Sequence, residues 1–275
     1  MGRALELISG RATAPGAAFT AVTMASGNSL TIRNTPFDTD IRLLQVWADF
    51  QVAGTLRIRS PKLHDNVQGL RLDATVSLVH PLLPMGASQR LVAQDTLVAE
   101  MIGSAVAGDI ENFAALIWYA NLPGTDARLV APDEVLRRAV NLVAVENTIT
   151  TGAGGGYTGE EALNAEFDLL KANTDYALLG YLVDAECCAV RWRGADLGNL
   201  GVGGPGADDI RHLTAEWFMR LAAAYQLPLI PVINSANKAG ILIDAVQDEN
   251  AAAVTLTSIF AEIGPAPVPS GIAVR

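Results

Sequence analysis

Cysteine is nearly missing from this chain: two residues in 275, and they are neighbours, Cys187 and Cys188. Adjacent strand residues point to opposite faces, so the two cannot readily bridge. A disulfide framework and a Cys-rich metal site are thereby excluded, and the pair reads as packed free thiols of a reducing compartment. Histidine is almost as scarce. His64, His80 and His212 form no His-x-His or His-Glu-x-x-His spacing, so a clustered metal centre is not expected. Positive charge is also short, at 19 Lys and Arg against 29 Asp and Glu, for a net charge of −10. Counterion release needs clustered cations. No basic run is present, so no direct contact with nucleic acid is expected. No stretch approaches the roughly 18 uninterrupted apolar residues of a spanning helix. The best, 213–233, is broken by Glu216, Arg220 and Pro228. Arg3 and Glu6 are not followed by a long apolar run, so no signal peptide is expected. A Gly-x-Ser-x-Gly nucleophile elbow is absent as well.

What the chain does have is apolar residues, which make up half of it, with a mean hydropathy of +0.28. That is oily for a lone soluble chain, and a lasting subunit interface is the usual way to cover such surface. Residues 1–28, rich in Ala, Gly, Ser and Thr, read as an extended arm or edge strand. Alternating or continuous apolar runs predict strands at 29–33, 41–52, 55–59, 70–72, 75–79, 113–119, 142–148, 167–170, 178–183, 187–193, 229–233, 240–246 and 253–263. Residues 89–106 are compatible with a helix or with two strands. Pro132 opens a short helix with Glu134 and Arg138 at i,i+4. Ile210, Leu213, Trp217, Phe218 and Leu221 form one stripe, which predicts a helix over 207–226. The prolines at 265, 267 and 269 make the last residues an exposed tail.

The chain also resembles itself. Thr39-Asp40-Ile41-Arg42-Leu43-Leu44 returns 135 residues later as Thr174-Asp175-Tyr176-Ala177-Leu178-Leu179. Arg57-Ile58-Arg59 returns 134 residues later as Arg191-Trp192-Arg193, followed by Leu63 and Leu197 at the same spacing. Thr13, Gly16, Phe19 and Thr20 correspond to Thr151, Gly154, Tyr157 and Thr158. Glu111-Asn112 corresponds to Glu249-Asn250, also 138 residues apart. Matches that keep their order at nearly one offset point to a tandem duplication. Each copy is a unit of short strands, and such units close into sandwiches or jelly rolls. The expected organisation is an N-terminal arm 1–28, a first jelly-roll-like domain 29–130, a linker 131–145, a second such domain 146–264 with the helical insertion, and a tail 265–275. The fold class is mainly β, a tandem duplicated antiparallel β-sandwich.

Residues 201–206 spell G-x-G-x-x-G. A dinucleotide site would bring pyrophosphate against such glycines, but Asp208 and Asp209 place negative charge there, and a plain connecting loop is the better reading. The run at 152–156 lacks the Gly-Lys-Ser/Thr of a phosphate loop. Asp38 with Asp40, and Glu160 with Glu161, fit turn and surface roles. The repeated polar residues carry more. Arg57, Arg59, Arg191 and Arg193 would line one face of each strand, as a solvated or intersubunit salt-bridging face or, alternatively, an anionic ligand site. Asp40 and Asp175 enter the repeated strands, and Asn112 and Asn250 read as turn residues before a core strand.

A tandem β-sandwich that is oily and acidic, with an arm at each end and no catalytic cluster, resembles the double jelly-roll major capsid proteins of tailless, often membrane-containing viruses. That resemblance implies a structural virion protein, not an enzyme, without cofactor or metal. It implies self-association into pseudo-hexameric homotrimers that tile a shell, with other virion proteins and an underlying membrane as partners. It also implies synthesis in a host cytoplasm. Two other classes stay open: a tandem β-sandwich that binds glycan or protein, as in a spike or tail, and a bicupin-like enzyme.

Overall fold

The computed structural model describes residues 2–63, 65–74, 77–78, 83–84, 86–150, 157–185, 187–206, 211–246 and 253–264. The first half contains β1 (Gly2–Thr13), β2 (Thr20–Ala21), β3 (Thr23–Met24), β4 (Ile41–Phe50), β5 (Gly54–Arg59), β6 (Leu70–Ala74), β7 (Ser77–Leu78), β8 (Gln89–Arg90), β9 (Val98–Ile102) and β10 (Ile110–Leu122). The second contains β11 (Leu129–Val130), α1 (Pro132–Arg138), β12 (Asn141–Thr150), β13 (Thr158–Ala162), β14 (Asp175–Val183), β15 (Cys187–Arg193) and β16 (Val202–Gly206). These are followed by α2 (Arg211–Thr214), α3 (Trp217–Tyr225), β17 (Ile230–Asn234), β18 (Leu242–Val246) and β19 (Ala253–Glu262).

The described strands form four antiparallel sheets. In the second half they run β12-β19-β14-β17, with β11 added at the edge, and β13-β18-β15-β16. The first half repeats that order as β1-β10-β4 with β7 and β8 at the edge, and β2-β9-β5-β6. Each half is thus a two-sheet jelly roll whose first and last strands lie side by side. Shared strand order is a fact of topology and does not by itself establish duplication. The repeated Leu-Leu pair has a structural meaning, however. Leu43 pairs with Ile117 and Gln45 with Leu116, so Leu44 is bulged out of the ladder. Leu178 pairs with Phe260 and Gly180 with Ile259, so Leu179 is bulged at the matching place. A bulge re-aims the residues beyond it. Here Leu43 faces the first core while Leu44 and Trp47 face the other side.

The two rolls are stacked face to face. One cluster, including Ile8, Leu43, Ile58, Met101, Phe113 and Ile117, fills the first roll. The other joins Leu5, Leu7, Trp47, Leu116 and Trp118 of the first roll to Val190, Trp192, Val202 and Phe218 of the second. The sheet β1-β10-β4 is therefore buried on both sides, which is why its strands read as continuous apolar runs rather than alternating ones. Close approach at this joint depends on the glycines of β16. A Cβ on Gly203 would lie 1.9 Å from the Val190 carbonyl oxygen and 2.9 Å from Leu7 of the first roll, and one on Gly204 would lie 2.3 Å from the Tyr181 hydroxyl within the second roll. The Leu7 amide donates to the Gly201 carbonyl across the joint, at 2.7 Å. The Trp47 indole donates to the Cys188 carbonyl.

Several expectations are corrected. Residues 1–28 are no arm, because β1 sits between β3 and β10 with Ala4, Leu5, Leu7 and Ile8 all buried. Small side chains there permit tight packing between sheets; they do not mark a loose end. The boundary at 130 and the linker 131–145 also shift. β11 pairs with β17 of the second roll, and β12 begins at Asn141 and pairs with β19 along its length. Within that stretch α1 does form, with Pro at its start, acids in its first turn and bases in its last. Residues 29–33 make only one isolated bridge, Thr31 to Thr96. Residues 167–170 are irregular, with Phe167 and Leu169 exposed. The ambiguous 89–106 resolves as β8 and β9. The helix over 207–226 is two helices, broken before Glu216, whose φ of −129° is non-helical. The G-x-G-x-x-G letters fall on strand β16, not on a loop. The tail 265–275 and the run 152–156 lie outside the described residues.

We expect Gly203→Ala to destabilise the fold by about 1–3 kcal/mol, the usual cost of overpacking a filled interior. The midpoint of guanidinium unfolding at constant slope measures it, and an unchanged midpoint would show that the joint tolerates a methyl group.

Candidate functional site

β5 and β15 are the strands that carry Arg-x-Arg, and each pairs with a strand that holds one acid. Arg57 stands opposite Glu100 on β9, and Arg191 opposite Asp244 on β18. In the first roll Glu100 bridges both arginines, at 2.6 Å from Arg57 Nη2 and 3.0 Å from Arg59 Nε. The Arg57 guanidinium lies 3.7 Å above the centroid of the Phe19 ring. In the second roll Asp244 accepts a bidentate pair from Arg191 Nε and Nη2, both at 2.7 Å, with Arg193 Nε at 3.8 Å. Arg193 also pairs with Glu160. The Arg191 guanidinium lies 3.4 Å over the Tyr157 ring. An arginine held between a carboxylate and an aromatic face thus occurs once per roll, at matching strand positions.

Their surroundings differ. The outer face of β2-β9-β5-β6 meets no other sheet, and the side chains of Arg57, Arg59 and Glu100 are 19%, 27% and 13% exposed. The corresponding face of β13-β18-β15-β16 is covered by the first roll, so Arg191 and Asp244 are 6% and 1% exposed. Sealed from water, that pair is held by geometry and mutual charge, and removal of either partner would strand the other. Hydrogen bonds from Arg59, and then from Arg57, hold the Glu100 carboxyl below its ordinary range against the desolvation that raises it. All four arginines meet acids of their own chain.

The other candidate residues scatter. Asp40 pairs with half-exposed Arg42 at 2.7 Å. Asp175 is buried and accepts from Arg128 and Asn234. Burial alone would raise its pKa, but those partners keep it low. The two aspartates of the repeat therefore do different work. Asn112 is not a turn residue. It lies within β10, fully buried beside the joint, and among the described residues its side-chain amide finds no hydrogen-bond partner. Asn250 lies outside the described residues, as do His64 and His80. The strand pairings align Ile117 with Phe260, an offset of 143 rather than 138. Glu100 and Asp244 were overlooked, although the signal was present: each is the lone charge inside a five-residue apolar strand, Val98–Ile102 and Leu242–Val246.

Among the described residues no group of three His, Cys, Asp or Glu could hold a metal ion, and no helix is long and apolar enough to cross a membrane. No family model and no curated protein matches the chain. Solved structures give faint likenesses. The PBSX exported protein XepA is 9% identical with a TM-score of 0.26, over 93% of this chain and 86% of that one. The major capsid protein P2 of bacteriophage PM2 is 8% identical with a TM-score of 0.20, over 94% and 97%. A chain of the Sulfolobus turreted icosahedral virus is 11% identical with a TM-score of 0.21, over 95% and 82%. Likeness at this level carries no argument.

Asp244→Asn should cost about 3–5 kcal/mol, since it leaves Arg191 buried without its counter-charge, whereas Glu100→Gln at the half-open bracket should cost far less. Equal shifts in denaturant midpoint would contradict this difference in burial. Stability should also depend on pH in a defined sense. Glu100 and Asp175 titrate below their ordinary values of 4.5 and 3.8. Their contribution is complete above those values and is lost as pH falls through the lowered ones. Unfolding midpoints from about pH 6 to about pH 3 should fall, and Glu100→Gln should flatten the decline.

Proposed function

We propose that this protein is a structural subunit of a virion, one that associates with copies of itself to build a shell. The observation that carries the reading is the stacking of two jelly rolls of one strand order in a single chain. Jelly rolls serve as shell, lectin and cupin scaffolds, and the pairing of two in one chain favours the shell. A chain with two similar units offers neighbours six nearly equivalent edges per three copies, which suits a trimer with pseudo-sixfold shape. Exposed Phe37, Val67, Leu136, Val140 and Leu142 are the sort of surface that association covers. The virion location and any contact with an underlying membrane belong to the same proposal.

Size-exclusion chromatography with light scattering at micromolar concentration tests it. The expected mass is three times the 28.9 kDa chain, or larger assemblies. A clean monomer would overturn the reading, and a monomer that binds glycan would favour a lectin-like module.

A further inference from the structure

β12 is the edge strand of its sheet, and part of that edge is bare. The Thr148 amide turns out of the ladder and donates to the Glu166 carboxylate. The alternate residues Leu142, Ala144 and Glu146 therefore aim their N–H and C=O groups at the same outer edge. None of these main-chain groups meets a partner among the described residues, and all three residues are exposed. The first roll shows what this position accepts. The strand pairings and the two bulges align Leu7 with Ala144 and Ser9 with Glu146. The Leu7 amide donates to the Gly201 carbonyl, the Ser9 amide donates to the Asn28 side chain, and the Ser9 carbonyl accepts from the Ala25 amide. The edge of β1 is closed by its own chain, and the matching stretch of β12 is open. Apolar side chains gather round that stretch. Leu136 and Val140 stand just before it and Leu142 lies on it. The segment 166–171 is tied alongside, by Glu166 on Thr148 and by Lys171 on Glu262, whose strand partner is Asn141. That segment exposes Phe167 and Leu169. Large apolar residues in water around an unpaired strand edge mark a surface for another strand.

We propose that this edge pairs antiparallel with the same edge of a second copy, about a twofold axis at Ala144. The contact rests on the reading of the chain as a self-associating subunit and names one place where copies meet. The open run is itself symmetric about Ala144. Beyond Leu142, the Val140 amide is taken by the Glu262 carbonyl, and beyond Glu146, the Thr148 amide is taken by Glu166. Turned upon itself, the run sets Ala144 opposite Ala144 and Leu142 opposite Glu146. Each outward N–H then faces a C=O of the other copy, which is strand addition to an open sheet. The small side chain on the axis lets the two strands approach, and no two like charges stand directly opposite. One patch meets itself, so the contact closes at two copies and leaves no edge to propagate.

The test is Ala144→Cys in the full chain. The native Cys187 and Cys188 are fully buried. Facing residues of such a pair lie about 5.5 Å apart, within disulfide reach, so mild oxidation should give a cross-linked dimer on a non-reducing gel and nothing larger. Leu142→Cys alone and Glu146→Cys alone should give none, because each stands roughly 13 Å from its own copy across the axis. A mixture of those two variants should cross-link. In parallel, Ala144→Pro removes an amide that only the second copy uses, since β19 bonds the alternate residues. It should raise the dissociation constant of the contact at least roughly tenfold with the far-ultraviolet circular dichroism unchanged. Wild-type assembly without a cross-link at Ala144 gives the edge to another occupant and overturns this contact, while the shell reading stands. A cross-link from Leu142→Cys alone overturns the axis at Ala144. A cross-linked dimer as the largest species supports the contact and overturns the shell. A wild-type monomer whose Ala144→Cys variant stays uncross-linked overturns both.

Discussion

Two sheets in the middle of the stack are covered by protein on both faces over most of their area, and the remaining features of the molecule answer to that constraint. A polar group placed there must find a partner inside the protein, because an unpaired one costs as much as several apolar contacts supply. The indole of Trp47 reaches the Cys188 carbonyl, Trp192 reaches Ser258, Tyr181 reaches the Pro205 carbonyl, and Arg191 is locked to Asp244. The Trp47 bond crosses the joint, as do those of the Tyr225 hydroxyl with Gln45 and the Leu44 carbonyl, and their direction fixes how the two rolls sit; the other three hold the second roll's own strands together. The glycine-rich strand β16 is the other half of the arrangement. Side chains on it would hold the sheets apart and break the contacts that the tryptophans make.

The arginine brackets show how one local motif takes on two roles. The register places an acid across from the first arginine in each roll, and an aromatic ring over it. In the first roll the bracket faces outward, where water screens its charges and its worth is small. In the second the same bracket is covered by the neighbouring roll, and low dielectric makes each partner indispensable to the other. Position in the stack, not the identity of the residues, makes the difference.

Much of the architecture was legible because it rests on short-range rules. The run from Phe113 to Tyr119 reads as a buried strand, and Pro132 with its flanking charges reads as the start of a helix. The Thr-Asp-x-x-Leu-Leu repeat marked matching strands in both rolls, and Leu44 and Leu179 prove to be matching bulges. Other features were misread for identifiable reasons. The low charge of residues 1–28 resembles that of a loose arm, yet in β1 it reflects burial on both faces. The letters of 201–206 imitate a phosphate loop, because glycine serves close approach of a sheet as well as of a ligand. Asp40 and Asp175 share a motif but not a partner, because Arg128 comes from a distant loop.

The sequence by itself determined the kind of element at most places, the fold class and the recurrence of the Thr-Asp-x-x-Leu-Leu strand, since alternation, breakers and repeated letters are local signals. Tertiary structure alone decided which face of each sheet is covered, that β1 belongs to the core, and that Arg191 is sealed while Arg57 is not. A strand carries its side-chain pattern with it, but what lies across from each face depends on segments more than a hundred residues away. No local spacing records that distance.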